Sequence, residues 1–429
     1  MRRFQKSIAL FMILQGWLMG ATLEKVDGVD FIYEEDRTLP IVFMSLKFKN
    51  AGIMMGKKDG LVNLTSMLLN EGTSKDGSVG FATKLENRAI SLSAGMGTET
   101  FVIDLDSMKS EFPKGVKLLK ELIIDPNYKK ESLTKIKTQV KGRITSLESN
   151  FEYISRVELN KQLYPNNPLS RLALGTKEDV QKISLVDIKK HIEKNLGKDN
   201  LFVVIGGDLS HDEAQAYVKE VVSLFHKNTP SSFKFTLPTS EAKVIKHYKD
   251  TQQAYISFGS PLDIMFDTDK MYLANLASYI LGEGGFGSRL MEEVRVKKGL
   301  AYSVNGSFSI TQSSSSFSGA LQTKNSSGDE AIKIVQSVVE DFVKNGVTQE
   351  ELDLAKQFIV GSQPLRNEKL SSRLTRAGNE YYNNRALGEW KTELEKTKNV
   401  TVEELNTFIK SHPEITKHTS SLVTKKESK

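Results

Sequence analysis

The feature that most limits how this chain can fold is that it matches itself. "LVNLTSMLLNEGT" at 61–73 lies over "LANLASYILGEGG" at 273–285, an offset of 212, with the pairs Leu61/Leu273, Asn63/Asn275, Leu64/Leu276, Ser66/Ser278, Leu69/Leu281, Glu71/Glu283 and Gly72/Gly284 identical. Two more blocks follow in the same order. "ESLTKIKTQVKG" (131–142) lies over "EELDLAKQFIVG" (350–361) at an offset of 219, and "ISLVDIKKHI" (183–192) over "VTVEELNTFI" (400–409) at 217. Accidental matches have no reason to keep order and spacing, so a duplicated unit is expected. A length of 429 residues is in any case too much for one ordinary core.

Composition places the seam. "NTPSSFKFTLPTSEAK" (228–243) carries Pro230 and Pro238 among serines and threonines and reads as an exposed linker. The expected division is a leading segment 1–20, a first domain 21–229, a linker 230–243 and a second domain 244–429. "LPIVFMSLKF" (39–48), "QQAYISFGS" (252–260), "TFVIDLDS" and "LFVVIGGDLS" alternate or run apolar as strands do, whereas "DEAQAYVKEVVSLF" (212–225) has helical spacing. The expected fold class is α+β: two similar domains, each a mainly antiparallel sheet covered by helices.

"MRRFQK" followed by "SIALFMILQGWLMG" is a basic start and then an apolar run, the pattern of an export signal. Gly20 or Ala21 is small enough for cleavage, but neither has a small residue two positions before it, so an uncleaved membrane anchor is the alternative. A periplasmic protein is expected. Removing 1–20 takes away Arg2, Arg3 and Lys6 and lowers the formal charge from +6 to +3, with no basic block, so nucleic acid is not an expected partner. The lack of any cysteine excludes disulfides, thiolate zinc sites and thiol nucleophiles. "GEGGFG" (282–287) satisfies G-x-G-x-x-G, yet it follows a helical pattern where a dinucleotide loop must follow a strand.

The order of a strand, a "GL..L...L..GT" helix and, in the second half, "GSRLMEEVRVKKGLAYSV" (287–304) resembles the insulinase and pitrilysin-like zinc peptidases, especially their two-domain processing-peptidase branch. The resemblance implies H-x-x-E-H on the first helix, where positions i, i+3 and i+4 share a face and two imidazoles hold zinc while the glutamate acts on its water. Here those places hold Asn63, Ser66 and Met67. An amide is a poor zinc ligand, a serine hydroxyl is no general base near neutral pH, and a thioether suits softer metals. The implied third ligand, a glutamate in or near 134–148, has only Glu148 to represent it, at the far end. The six histidines (His191, His211, His226, His247, His412 and His418) include no pair at helical spacing. No metal and no other cofactor is expected.

The second half matches the implied pattern instead. Arg295 and Tyr302 stand where the resemblance assigns an arginine and a tyrosine to holding substrate backbone, and both donate hydrogen bonds. Ser288 can cap the helix that carries Arg295, Gly299 can end it, and Gly284 and Gly285 offer bare backbone to a peptide. In the ordinary alternative, Arg295 pairs with a surface carboxylate and Tyr302 lies in the core. The expected function is a metal-free, substrate-binding subunit of a heteromeric periplasmic zinc peptidase, inactive alone. It would pair with a zinc-bearing relative, or with itself in that partner's absence, and act on peptides or unfolded protein. A non-catalytic scaffold in a larger assembly is the second expectation.

Overall fold

The computed structural model describes residues 20–426, so the expected export segment lies, apart from Gly20, outside the described residues. Eleven strands are described: β1 (Thr22–Val26), β2 (Val29–Glu35), β3 (Ile41–Phe48), β4 (Ser91–Met96), β5 (Phe101–Met108), β6 (Leu201–Gly207), β7 (Val244–Tyr248), β8 (Gln253–Pro261), β9 (Ala301–Ile310), β10 (Ser315–Lys324) and β11 (Thr419–Thr424). They form two sheets, ordered β1-β2-β6-β3-β5-β4 and β7-β11-β8-β10-β9. With β1 set aside, the second order is the first repeated element for element. The one parallel pair also recurs at the same place, β2 with β6 and β7 with β11, all other pairs being antiparallel. The repeat in the sequence is therefore a repeat of topology, and the α+β class with two related domains holds.

Alternation in the strands sets which face each sheet buries. In β3, Val42, Met44, Leu46 and Phe48 point into a core shared with Phe101, Ile103 and Leu105 of β5 and with the helices Phe112–Ile124 and His211–Val222. The second sheet sets Ile256, Phe258, Phe317 and Leu422 against Ala331, Val335, Val339 and Phe342 of the helix Gly328–Asn345.

The other face of the first sheet carries apolar residues too, and both sheets are covered there as well. Each half lends the other a helix. Helix Leu370–Tyr382 sets Leu370, Leu374 and Ala377 on Ile32, Phe202 and Val204 of the first sheet. Its Arg373 reaches Glu34 at 2.6 Å and Asp36 at 2.5 Å. Helix Phe151–Leu163 lies on the second sheet: the Ser155 hydroxyl donates to the Ser421 carbonyl at 2.9 Å, and a Cβ on Gly259 would sit 2.8 Å from Leu163. Phe151 and Leu370 are 219 residues apart, the offset of the second repeated block.

The halves also touch where two corresponding hairpins meet. Glu99, in the β4–β5 turn, accepts from the Ser313 backbone at 2.8 Å, from the Ser313 hydroxyl, and from the Tyr382 hydroxyl at 2.6 Å. Ser313 lies in the β9–β10 turn. Residues 225–243 carry no regular secondary structure and are tied down by Thr236 to Ser313 and by Thr239 to Leu163.

Candidate functional site

The helix Leu61–Leu69 buries Leu61, Val62, Leu64, Thr65, Ser66, Leu68 and Leu69, leaving Asn63 and Met67 partly covered. Zinc would need three good donors on this face. Ser66 instead turns its hydroxyl back to the Asn63 carbonyl at 2.9 Å, and Met67 packs on the apolar cluster of Leu133, Ile136 and Val140. The side-chain oxygen of Asn63 is buried without a partner, one weak donor by itself. On the neighbouring helix Lys130–Leu147, Lys135 holds both oxygens of Glu71 at 3.0 Å, and Glu148 beyond its end pairs with Lys177 at 2.7 Å. Among the described residues no group of three or more His, Asp or Glu could hold a metal ion. These residues do not fit zinc.

Arg295 and Tyr302 come together. The helical turn Met291–Lys297 bears Arg295. The Met291 N–H reaches the Ser288 hydroxyl at 3.4 Å at its start, and Gly299 closes it at φ +61°. That turn and the earlier Tyr279–Glu283 are both π-helical, a wide winding that recurs at functional sites. Tyr302 stands near the start of β9, one of the two edge strands of the second sheet. The Arg295 guanidinium lies 4.6 Å from the Tyr302 ring centre and 4.7 Å from that of Phe286. Tyr302 is 84% exposed and Phe286 69%, which overturns the core placement for the tyrosine. No carboxylate among the described residues lies within 4.0 Å of Arg295, so the surface ion pair is absent too. Stacking uses the faces of the guanidinium and leaves its in-plane N–H groups free to donate.

The two glycines play different parts. A Cβ on Gly284 would sit 2.9 Å from the Tyr279 ring, so glycine there allows close packing. Gly285 adopts φ +58° with open space around it, and its carbonyl accepts from the Ser288 N–H at 2.9 Å. Phe286 is the residue that motif reading passed over. A large aromatic between glycines in "GGFG" has little to pack against locally, which is the signal that it serves a neighbour.

Two comparisons fix the family. Residues 31–177 match the family model described as Insulinase (Peptidase family M16), and residues 182–359 match Peptidase M16 inactive domain. A Helicobacter pylori protein described as Non-peptidase homolog YmxG is 39% identical over 401 residues, covering 93% of this chain and 92% of that one. The chain belongs to peptidase family M16. Among solved structures, a Pseudomonas fluorescens protein described as a peptidase M16 inactive domain superposes with a TM-score of 0.88 at 25% identity, covering 95% of this chain and 98% of that one. The periplasmic protease PqqL from Escherichia coli shares the fold at a TM-score of 0.80 and 13% identity, over 95% of this chain and 46% of its own. With the Helicobacter pylori non-peptidase homologue as a relative and only the weak donors of Asn63, Ser66 and Met67 on the metal face, this M16 chain reads as a non-catalytic homologue. No helix among the described residues is long and apolar enough to cross a membrane.

Proposed function

We propose that this M16 chain is the metal-free, substrate-binding subunit of a heteromeric zinc peptidase of the periplasm. A zinc-bearing relative supplies the metal ligands and the catalytic glutamate. This chain presents Arg295 and Tyr302 to a peptide or unfolded protein, beside the backbone of Gly284 and Gly285. Without that relative the chain pairs with itself. The observation that carries the reading is Arg295, held between two exposed rings with no carboxylate partner among the described residues. The degenerate face at Asn63, Ser66 and Met67 requires the metal to come from elsewhere. Export rests on the basic and then apolar residues 1–20.

The test is peptide hydrolysis by this chain co-purified with an M16 relative from the same cell that keeps H-x-x-E-H, at matched stoichiometry. Arg295→Ala or Tyr302→Phe should lower turnover by about 100-fold to 1,000-fold, the usual cost of one positioned oxyanion donor. The double variant should cost less than the product of the singles, since both serve one group. Unchanged turnover in all three would leave the scaffold role as the better account.

A further inference from the structure

The second copy of the helix Leu61–Leu69 also has a face, and that face opens onto a cavity. Helix Met271–Ser278 repeats Leu61–Leu69, so Asn275 and Tyr279 stand at the counterparts of Asn63 and Met67. Both line a hollow of about 460 Å³, roofed by the exchanged helix Leu370–Tyr382 and by Trp390. A second hollow of about 360 Å³ adjoins it, sharing Arg366, Ser372, Thr375 and Arg376 and adding Ser371.

The charges here are unevenly matched. Arg385 is engaged by Glu389 at 2.9 Å and by Glu393. The Glu380 carboxylate accepts from the backbone N–H groups of Gly388 at 2.8 Å and Trp390 at 2.9 Å, and Glu283 accepts from the Ser278 hydroxyl at 2.9 Å. Arg376 is different. Its guanidinium lies 4.3 Å from the Trp390 ring centre and donates to the Asn367 side chain at 2.5 Å, but no carboxylate comes within 4.0 Å of it or of Arg366 among the described residues. Burial, together with the charge of Arg366, works against its own charge, opposed by the field of Glu380. A half-buried arginine stacked on an indole, with a second arginine beside it, is a fork awaiting an oxyanion. The hydroxyls of Ser372 and Thr375 supply neutral donors on the same helix face.

We propose that this double hollow binds a carboxylate of a peptide, an acidic side chain or the free C-terminus, with Arg366 and Arg376 as its charge partners and Trp390 holding Arg376 in place. The peptide identity of the ligand rests on the function proposed above; the carboxylate chemistry does not. The placement suits a long ligand. Asn379 lines both this hollow and a cavity of about 430 Å³ between the two sheets, so the two spaces are neighbours.

The experiment is direct binding of fluorescent peptides to the purified chain. Four peptides share one neutral core and carry an acidic residue with a C-terminal amide, a free C-terminus without an acidic residue, both, or neither. The peptide with neither group should bind about tenfold or more weakly than one of the single-carboxylate peptides, and which one identifies the source. Arg376→Gln and Arg366→Gln should each remove that preference. Arg366 is exposed and has no ion pair among the described residues, so its replacement should leave folding intact and keeps the test decisive if Arg376→Gln misfolds. Arg295→Ala should leave the preference unchanged, so a null effect of Arg295 on turnover would refute the proposed function without touching this site. Equal binding of all four peptides, or an undiminished preference in Arg366→Gln, would overturn it, as would tight inorganic phosphate binding with no carboxylate preference.

Discussion

Replacing Glu99 by alanine should loosen the two halves of the molecule. Glu99 is 8% exposed and accepts three hydrogen bonds from the opposite half, two from Ser313 and one from Tyr382. Burial first, and then the Glu99 charge, raise the Tyr382 phenol well above its ordinary value, so it remains a donor at any working pH. A hydrogen bond to a charged group contributes about 1.5–3 kcal/mol, which would put three of them near or above about 4.5 kcal/mol. Glu99, Ser313 and Tyr382 also line the cavity of about 430 Å³, where water can rescue some of the orphaned donors. The expected cost of Glu99→Ala is therefore about 2–4 kcal/mol. Glu99→Gln keeps one oxygen for Ser313, and its amide can donate to a turned Tyr382 hydroxyl, so it should cost less than about 1.5 kcal/mol. Urea unfolding measures both, with Tyr382→Phe added to each in a double-mutant cycle. A Glu99→Ala value within about 0.5 kcal/mol of the parent, or no coupling to Tyr382, would refute the reasoning.

Acid should weaken the fold through two buried histidines. Burial pushes His191 and His418 down to about 4, well below the ordinary 6.5, so both are neutral when folded and gain a proton on unfolding. Their contribution is complete above about pH 6.5, falls as pH drops towards 4, and is flat below that, amounting to about 3 kcal/mol each. His418 sits edge-on to Phe258 and Phe317, and His418→Leu should flatten the decline in urea midpoint between pH 7 and 4.5; an unchanged slope would exclude His418 as a cause. Rebuilding the metal motif by Asn63→His, Ser66→Glu and Met67→His should still give no stoichiometric zinc by elemental analysis. The helix Lys130–Leu147 offers Lys135 beside Glu71 and no inward carboxylate of its own, so one tightly bound zinc per chain would contradict this.

The repeat was legible because helix spacing and caps are local properties. Ser184 and Thr401, which open the third pair of blocks, cap their helices as residue type demands. The loss of the metal face was legible for the same reason, since three neighbouring side chains decide it. The helix exchange was not. Periodicity tells that Leu370, Leu374 and Ala377 form an apolar stripe, but not that its sheet lies more than 150 residues earlier in the chain. Arg295 and Tyr302 could be paired through the family resemblance of their motif, whereas the Arg376–Trp390 stack joins two helices that no local pattern links.

The lent helices have an evolutionary consequence. A half-length ancestor with this topology could not have covered both faces of its own sheet, because the cover comes from the corresponding helix of the other copy. Such an ancestor is complete only as a swapped homodimer, with the contact of two equivalent hairpin tips near its symmetry axis. Joining two such copies in one chain turns an association that depends on concentration into a tether, and leaves each copy free to change alone. Corresponding positions already differ in this way: Met67 packs on an apolar cluster, whereas its counterpart Tyr279, with Asn275, lines a hollow.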